Sequence, residues 1–227
     1  MEGRPELDHA FAKSLKAKTI AYCDFYTSLE VIQNITNTDG VELLHLSKAV
    51  FDDLTYQNVP GNFLVVFESW KNELSDLDPG KLTIMLESTE KPGNLGAILR
   101  TCDAMGVKQI VVSESEIDLF NPNVLRNSRG GLFNTSVVFC SNQEAFDWLE
   151  GNGIKTFAAV LSEKSVAYKT IDKSRIGALL FGSESSGLSE FWLQIDNIEN
   201  VIIPMDGIVD SLNLSVSVAV LLAYFSD

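Results

Sequence analysis

From residue 82 onward the chain alternates between two hydrophobic patterns. Short unbroken runs rich in Val, Ile and Leu are separated by stretches in which apolar residues recur every three or four positions. The runs LTIMLES (82–88), KQIVVSE (108–114), TSVVFC (135–140), KTFAAVL (155–161), ALLFGSE (178–184) and NVIIPM (200–205) predict buried strands. NLGAILRTCDAM (94–105), PNVLRNSRG (122–130), QEAFDWLE (143–150), LSEFWLQI (188–195) and SLNLSVSVAVLLAYF (211–225) predict helices. Continuous β-branched runs joined by helices are what a parallel sheet covered on both faces requires. The chain therefore reads as an α/β fold. Ligands of such sheets lie beyond the carboxyl ends of the strands, here residues 88–93, 114–121, 182–190 and 204–211.

The first eighty residues are less regular. VELLHL (41–46) and NFLVVFE (62–68) predict strands, and Ser47 before KAVFDDL predicts a capped amphipathic helix. WKNELSDLDPGK (70–81) is polar, and Pro79-Gly80 marks a turn. A boundary there divides the chain into a small α/β domain, 1–80, and a larger domain, 81–227.

Composition narrows the function classes. The chain has 227 residues, 45% of them hydrophobic and 21% charged, enough to bury a sizeable core without marks of disorder. No apolar run is long enough to span a bilayer, and MEGRPELDHA lacks a secretory leader's apolar segment. Cys23, Cys102 and Cys140 stand far apart, which disfavours a disulfide framework or a cysteine zinc site. With only His9 and His45 present, no metal site is expected, and reduced thiols point to a cytoplasmic protein. A net charge of −14 argues against nucleic-acid binding over the whole surface, though a local basic patch is not excluded.

Three segments concentrate candidate chemistry. In KPGNLGAILRTCDAMG (91–106), Pro92 and Gly93 break the chain, Asn94 stands where a helix N-cap belongs, and Arg100 follows about two turns later. The bland reading is a capped helix with a snorkelling arginine. In FGSESSGLSE (181–190), Gly182 and Gly187 flank a loop with one carboxylate, Glu184. No Lys-Ser/Thr follows Gly187, which rejects a Walker A loop, and no Ser occupies a G-x-S-x-G frame. In IIPMDGIVDSLNLSVSVAV (202–220), a strand ends near Ile203-Pro204, and Ser211 and Asn213 open a helix apolar nearly all round. Such a helix belongs in a core or at a subunit interface. The absence of G-x-G-x-x-G after the first strand of the sheet disfavours a dinucleotide enzyme.

Taken in order, N-L-G-A-I-L-R-T, G-S-E-x-x-G-L-S and I-P-M-x-G-x-x-x-S-L-N-L-S closely resemble the three motifs of the SpoU/TrmH family of RNA 2'-O-methyltransferases. NPNVLRNSRGGLF (121–133) resembles the segment linking the first two motifs, and the resemblance covers roughly 82–225. Residues 41–68 resemble, more weakly, the end of that family's N-terminal RNA-binding domain. Ser185 departs from the family pattern, where Gly is usual; Cys102 and Ser217 stand where Ala is usual.

The resemblance implies a parallel sheet whose C-terminal segment forms a trefoil knot, acting as a homodimer without a metal. It implies S-adenosylmethionine as cofactor, held by backbone at Gly182, Ile203 and Leu212 with Glu184, Met205 and Gly187 nearby. It assigns Arg100, Asn94, Glu184, Ser211 and Asn213 to the reaction. Arg126, Ser128 and Arg129 are the expected RNA contacts. The expected substrate is RNA, ribosomal RNA ahead of tRNA. The competing reading is a non-catalytic RNA-binding relative with the same fold.

Overall fold

The computed structural model describes residues 1, 4–55, 63–173 and 177–225. They fall into two compact units, Met1–Trp70 and Lys71–Asp227.

In the first unit, strands β1 (Ala17–Tyr22), β2 (Glu42–His45) and β3 (Phe63–Phe67) form a sheet in the order β2-β1-β3. β2 runs parallel and β3 antiparallel to β1. Helices α1 (Arg4–Ala12), α2 (Leu29–Gln33) and α3 (Lys48–Leu54) accompany them. Leu7, Ile20, Ile32, Phe63 and Val65 make a small core. Ser47 caps α3 as its sequence position predicts, its hydroxyl accepting from the Val50 N–H at 3.4 Å. Asn62, the first residue of the predicted strand 62–68, lies outside the described residues.

The second unit is a seven-stranded parallel sheet. Its strands are β4 (Thr83–Glu87), β5 (Gln109–Ser113), β6 (Ser136–Cys140), β7 (Thr156–Ala159), β8 (Val166–Ala167), β9 (Ala178–Phe181) and β10 (Glu199–Ile202), in the order β6-β5-β4-β9-β7-β10-β8. All residues of β4, β5 and β9 are buried, as unbroken apolar runs demand. Met85, Val111, Val138, Ala158 and Leu180 pack with Ala145, Leu149 and Trp192 of helices α6 (Asn142–Gly151) and α7 (Glu190–Leu193). Strand alternation sends Ile84, Leu86, Ile110, Val112 and Phe181 to the opposite face. There α4 (Pro92–Ala104) packs on α5 (Pro122–Ser128) and α8 (Leu214–Phe225). The chain runs outward from β4 to β5 and β6, then returns to build β7, β9 and β10 on the other side of β4. The β4/β9 pair is thus the switch point of the sheet, where a crevice opens at the carboxyl ends.

Four local expectations change. The two-residue strand β8, too short to carry a period, was not foreseen. Residues 71–80, expected in the first domain, group with the second unit. Hydrogen bonds tie them there: the Gln109 side chain accepts from the Asp78 N–H at 3.0 Å and donates to its carbonyl at 2.9 Å, and Asn72 donates to the Val137 carbonyl. Asn94 is not the N-cap of α4: Lys91 is, because Pro92 with its fixed φ takes the first helical position. Ser211 does not cap α8, which begins at Leu214; Asn213 does this work, its side-chain oxygen accepting from the Ser215 N–H at 3.0 Å.

Candidate active site

A cavity of about 760 Å³ opens at the carboxyl ends of β7, β9 and β10. Its wall comes from three loops distant in sequence: 182–188 after β9, 203–205 with 210–214 after β10, and Lys91 ahead of α4. The end of β7, Ala159–Leu161, adds an apolar side that the sequence reading missed. The predicted loop 114–121 contributes no lining residue, since β5 lies on the far side of β4 from the cavity.

The β9 loop is a closed turn. Ser183 and Gly187 exchange backbone hydrogen bonds at 3.0 and 3.1 Å, and Gly187 takes φ +69°, a conformation glycine adopts without strain. A Cβ at Gly182 would lie 2.1 Å from the Gly187 carbonyl carbon, so only glycine permits this closure. Ser185, at the family's usual glycine position, is accommodated at the exposed tip, where its hydroxyl donates to Glu90. Ser217 reaches the cavity wall, whereas Cys102 is fully buried.

Of the residues expected to act together, Glu184, Ser211 and Asn213 line the cavity and Asn94 joins them by hydrogen bonding. Asn94 donates through Nδ2 to Glu184 Oε1, while its Oδ1 accepts from Asn213 Nδ2 at 3.4 Å. One chain of side chains thereby links all three motifs. Glu184 Oε2 is buried and has no partner. Ser211 donates to the neighbouring Asp210 at 3.1 Å. Gly182, Gly187, Ile203, Met205 and Leu212, expected around the cofactor, all line the cavity.

Arg100 is exposed on α4 and is not part of the wall. Beside it lies the turn after α5. A Cβ on Gly131 would come within 3.3 Å of the Arg100 Cα, and Arg129 precedes this turn with φ +50°. Arg129 is exposed and Arg126 half-buried. Ser128 is 1% exposed and its hydroxyl is committed to the Leu125 carbonyl at 2.8 Å, which removes it from the accessible set.

Glu87 was missed by the sequence reading. It ends β4 with 2% exposure, and its carboxylate accepts from the Ser189 N–H at 2.8 Å, the Ser189 hydroxyl and Asn142 Nδ2. Asn142 in turn accepts from the Trp192 indole N–H at 2.9 Å. This network fastens the start of α7, and with it the β9 loop, to the centre of the sheet. The available signal was an acid closing the apolar run IML. Cysteine chemistry is not favoured. Burial pushes the Cys102 thiol up to about 12 and the Cys140 thiol up to about 11, so both stay protonated near neutrality. Among the described residues, no three His, Cys, Asp or Glu side chains gather as a metal site, and no helix is long and apolar enough to cross a membrane.

Fold and site together define an α/β domain that receives a small-molecule ligand at the switch point of its parallel sheet. The chain belongs to the SpoU rRNA Methylase family, whose model matches residues 81–223. It is 28% identical over 182 residues to the 23S rRNA (guanosine(2553)-2'-O)-methyltransferase RlmP of Bacillus subtilis, covering 80% of this chain and 71% of that protein. It is 38% identical over 145 residues to a tRNA (guanosine(18)-2'-O)-methyltransferase of Thermus thermophilus, covering 62% of this chain and 72% of that one. The crystal structure of an AdoMet-bound rRNA methyltransferase from Sinorhizobium meliloti superposes with a TM-score of 0.87 at 28% identity, over 100% of this chain and 85% of that chain.

Proposed function

We propose that this protein transfers a methyl group from S-adenosylmethionine to a ribose 2'-hydroxyl of RNA. The observation that carries the reading is the convergence of three sequence-distant motifs on one cavity, joined by the Glu184–Asn94–Asn213 chain. The cavity fits the cofactor: its volume is that of a small-molecule site, Gly182 leaves backbone uncovered, and Glu184 offers an unsatisfied acceptor. When bound, S-adenosylmethionine supplies an electrophilic methyl group on a sulfonium.

The chain's own residues then have distinct tasks. Backbone at Gly182, Ile203 and Leu212 holds the adenosyl part, with Gly187 and Met205 completing the wall. Asn94 orients Glu184, and Ser211 and Asn213 hold the third loop. Arg100, whose guanidinium only donates, grips the phosphate beside the reacting ribose and stabilises negative charge growing on its oxygen. Arg126 and Arg129 contact RNA phosphate. No divalent metal is required.

The finer architecture follows from family membership: a C-terminal trefoil knot, a homodimer, a methyltransferase domain near 81–227, an RNA-binding role for the first unit and a cytoplasmic location. Ribosomal RNA is the favoured substrate. The similarity to RlmP spans 182 residues, longer than the unit Lys71–Asp227, and so extends into the first unit.

The test is methyl incorporation into total RNA from cells lacking the gene, with mapping of 2'-O-methyl positions. One new 2'-O-methyl site is expected. Binding of RNA and cofactor without incorporation would leave only an RNA-binding relative. Isothermal titration with S-adenosylmethionine in excess chelator checks the metal-free claim, which loss of binding would refute.

A further inference from the structure

Methylation of a ribose hydroxyl requires an acceptor for its proton, and Arg100 cannot serve. A guanidinium carries no acceptor and stays protonated in proteins. Both histidines of the chain, His9 and His45, belong to the first unit. Within the cavity wall the charged side chains are Lys91, Glu184 and Asp210. Lys91 donates as an ammonium. Asp210 is exposed, and its carboxylate already takes the Ser211 hydroxyl at 3.1 Å. Glu184 differs from both: Asn94 holds its Oε1, and its Oε2 is shielded from solvent and accepts from nothing.

A buried acceptor without a partner is costly, of the order of 1–3 kcal/mol and more for a charged group. Strain of that kind, kept at a site by an ordered side-chain chain, points to a ligand that relieves it. We propose that Glu184 Oε2 is the proton acceptor for the 2'-hydroxyl; this rests on the methyltransferase reading above. The hydroxyl oxygen bonds to the methyl carbon while its proton passes to Oε2, and the carbon–sulfur bond breaks with its electron pair going to sulfur. A sulfonium, a carboxylate and an alcohol become a thioether, a carboxylic acid and a methyl ether, so charge and atoms balance. The proton then leaves to solvent. The Asn94–Asn213 chain holds the carboxylate in place. Other charged groups near Glu184 are Lys91 and Glu90 from the β4–α4 loop and Asp210 from the third loop; Glu90 is engaged by Ser185.

Single-turnover methylation with radiolabelled S-adenosylmethionine and the RNA pool described above tests this on the full chain. Wild type should show a rate that rises with pH and then levels off as the carboxylate is freed. Glu184→Gln should lower the plateau roughly a hundred- to ten-thousandfold, the usual contribution of a general base. Its residual rate should rise steadily with pH, without the plateau. Cofactor affinity, read by isothermal titration, should stay within about threefold, equivalent to less than 1 kcal/mol. Glu184→Asp should recover part of the rate and keep the plateau. Near wild-type turnover in Glu184→Gln, an unchanged pH profile, or lost cofactor affinity with an intact fold would overturn the proposal. If Glu184→Gln does not fold, the Asp variant decides: a pH-independent rate overturns the assignment. A wild-type protein inert on RNA would instead refute the methyltransferase reading itself.

Discussion

Arg100 and Gly182 illustrate how two residues can serve one site in separable ways. Arg100 is exposed and stands outside the cavity wall, beside the turn that carries Arg129. Arg100→Ala should therefore leave S-adenosylmethionine affinity unchanged while lowering methylation about a hundred- to a thousandfold, the scale of one lost charge-stabilising donor. Arg100→Lys should rescue little, because an ammonium cannot reproduce a planar two-point grip on phosphate. Turnover assays and cofactor titration of both variants check this. Gly182 has the opposite profile. A Cβ there meets the backbone of Gly187 and Leu188 at 2.1 and 2.2 Å, atoms that cannot swing aside. Gly182→Ala should open the β9 loop and weaken cofactor binding roughly ten- to a hundredfold, the equivalent of 1–3 kcal/mol of overpacking. Titration of the folded variant is the measurement.

At the scale of elements, helix α4 connects chemistry to stability. Its first turn presents Asn94 to Glu184, its second carries Arg100, and its buried side rests on α5. The approach of the two helices depends on Gly96: a Cβ there would lie 2.7 Å from Asn127 Cβ and 2.8 Å from the Val124 carbonyl. Gly96→Ala gains helix propensity, close to 1 kcal/mol at an ordinary site. The clash should outweigh that gain, giving a net loss of about 1–2 kcal/mol in urea unfolding once overpacking is included. Pushing α5 away also displaces Arg126 and Arg129, so methylation should fall more than cofactor affinity. Equal stability of the variant would show that α5 yields freely.

For the whole molecule, the proposed homodimer is directly measurable. Light scattering at micromolar concentration should give twice the chain mass of 25.0 kDa. Helix α8 buries Leu214, Val218, Leu221, Leu222 and Phe225 within its own unit, yet leaves Val216 45% exposed. If a second copy covers this side, Val216→Glu should shift the mass toward monomer, and a wild-type monomer would contradict the proposal. The chain's charge of −14 bears on this scale too. It describes the average surface, whereas Arg100, Arg126 and Arg129 gather around one turn of the second unit, where a phosphate would meet them locally.

Local pattern by itself determined the strands and helices of the second unit, because an apolar run such as TIMLE can be buried on both faces only in a covered parallel sheet. The order of the three motifs likewise identified Asn94, Arg100, Glu184, Ser211 and Asn213 as candidates. Tertiary structure decided what those residues do to one another. It made Asn94 a partner of Glu184 instead of a cap, since Pro92 had already started the helix. It brought Glu87 and Ser189, 102 positions apart, into one hydrogen-bonded network. It left one oxygen of Glu184 buried without a donor. Periodicity records which side of an element is dry, but a hydrogen bond between loops depends on sheet order. That order places β9 beside β4 through contacts that no local stretch of sequence encodes.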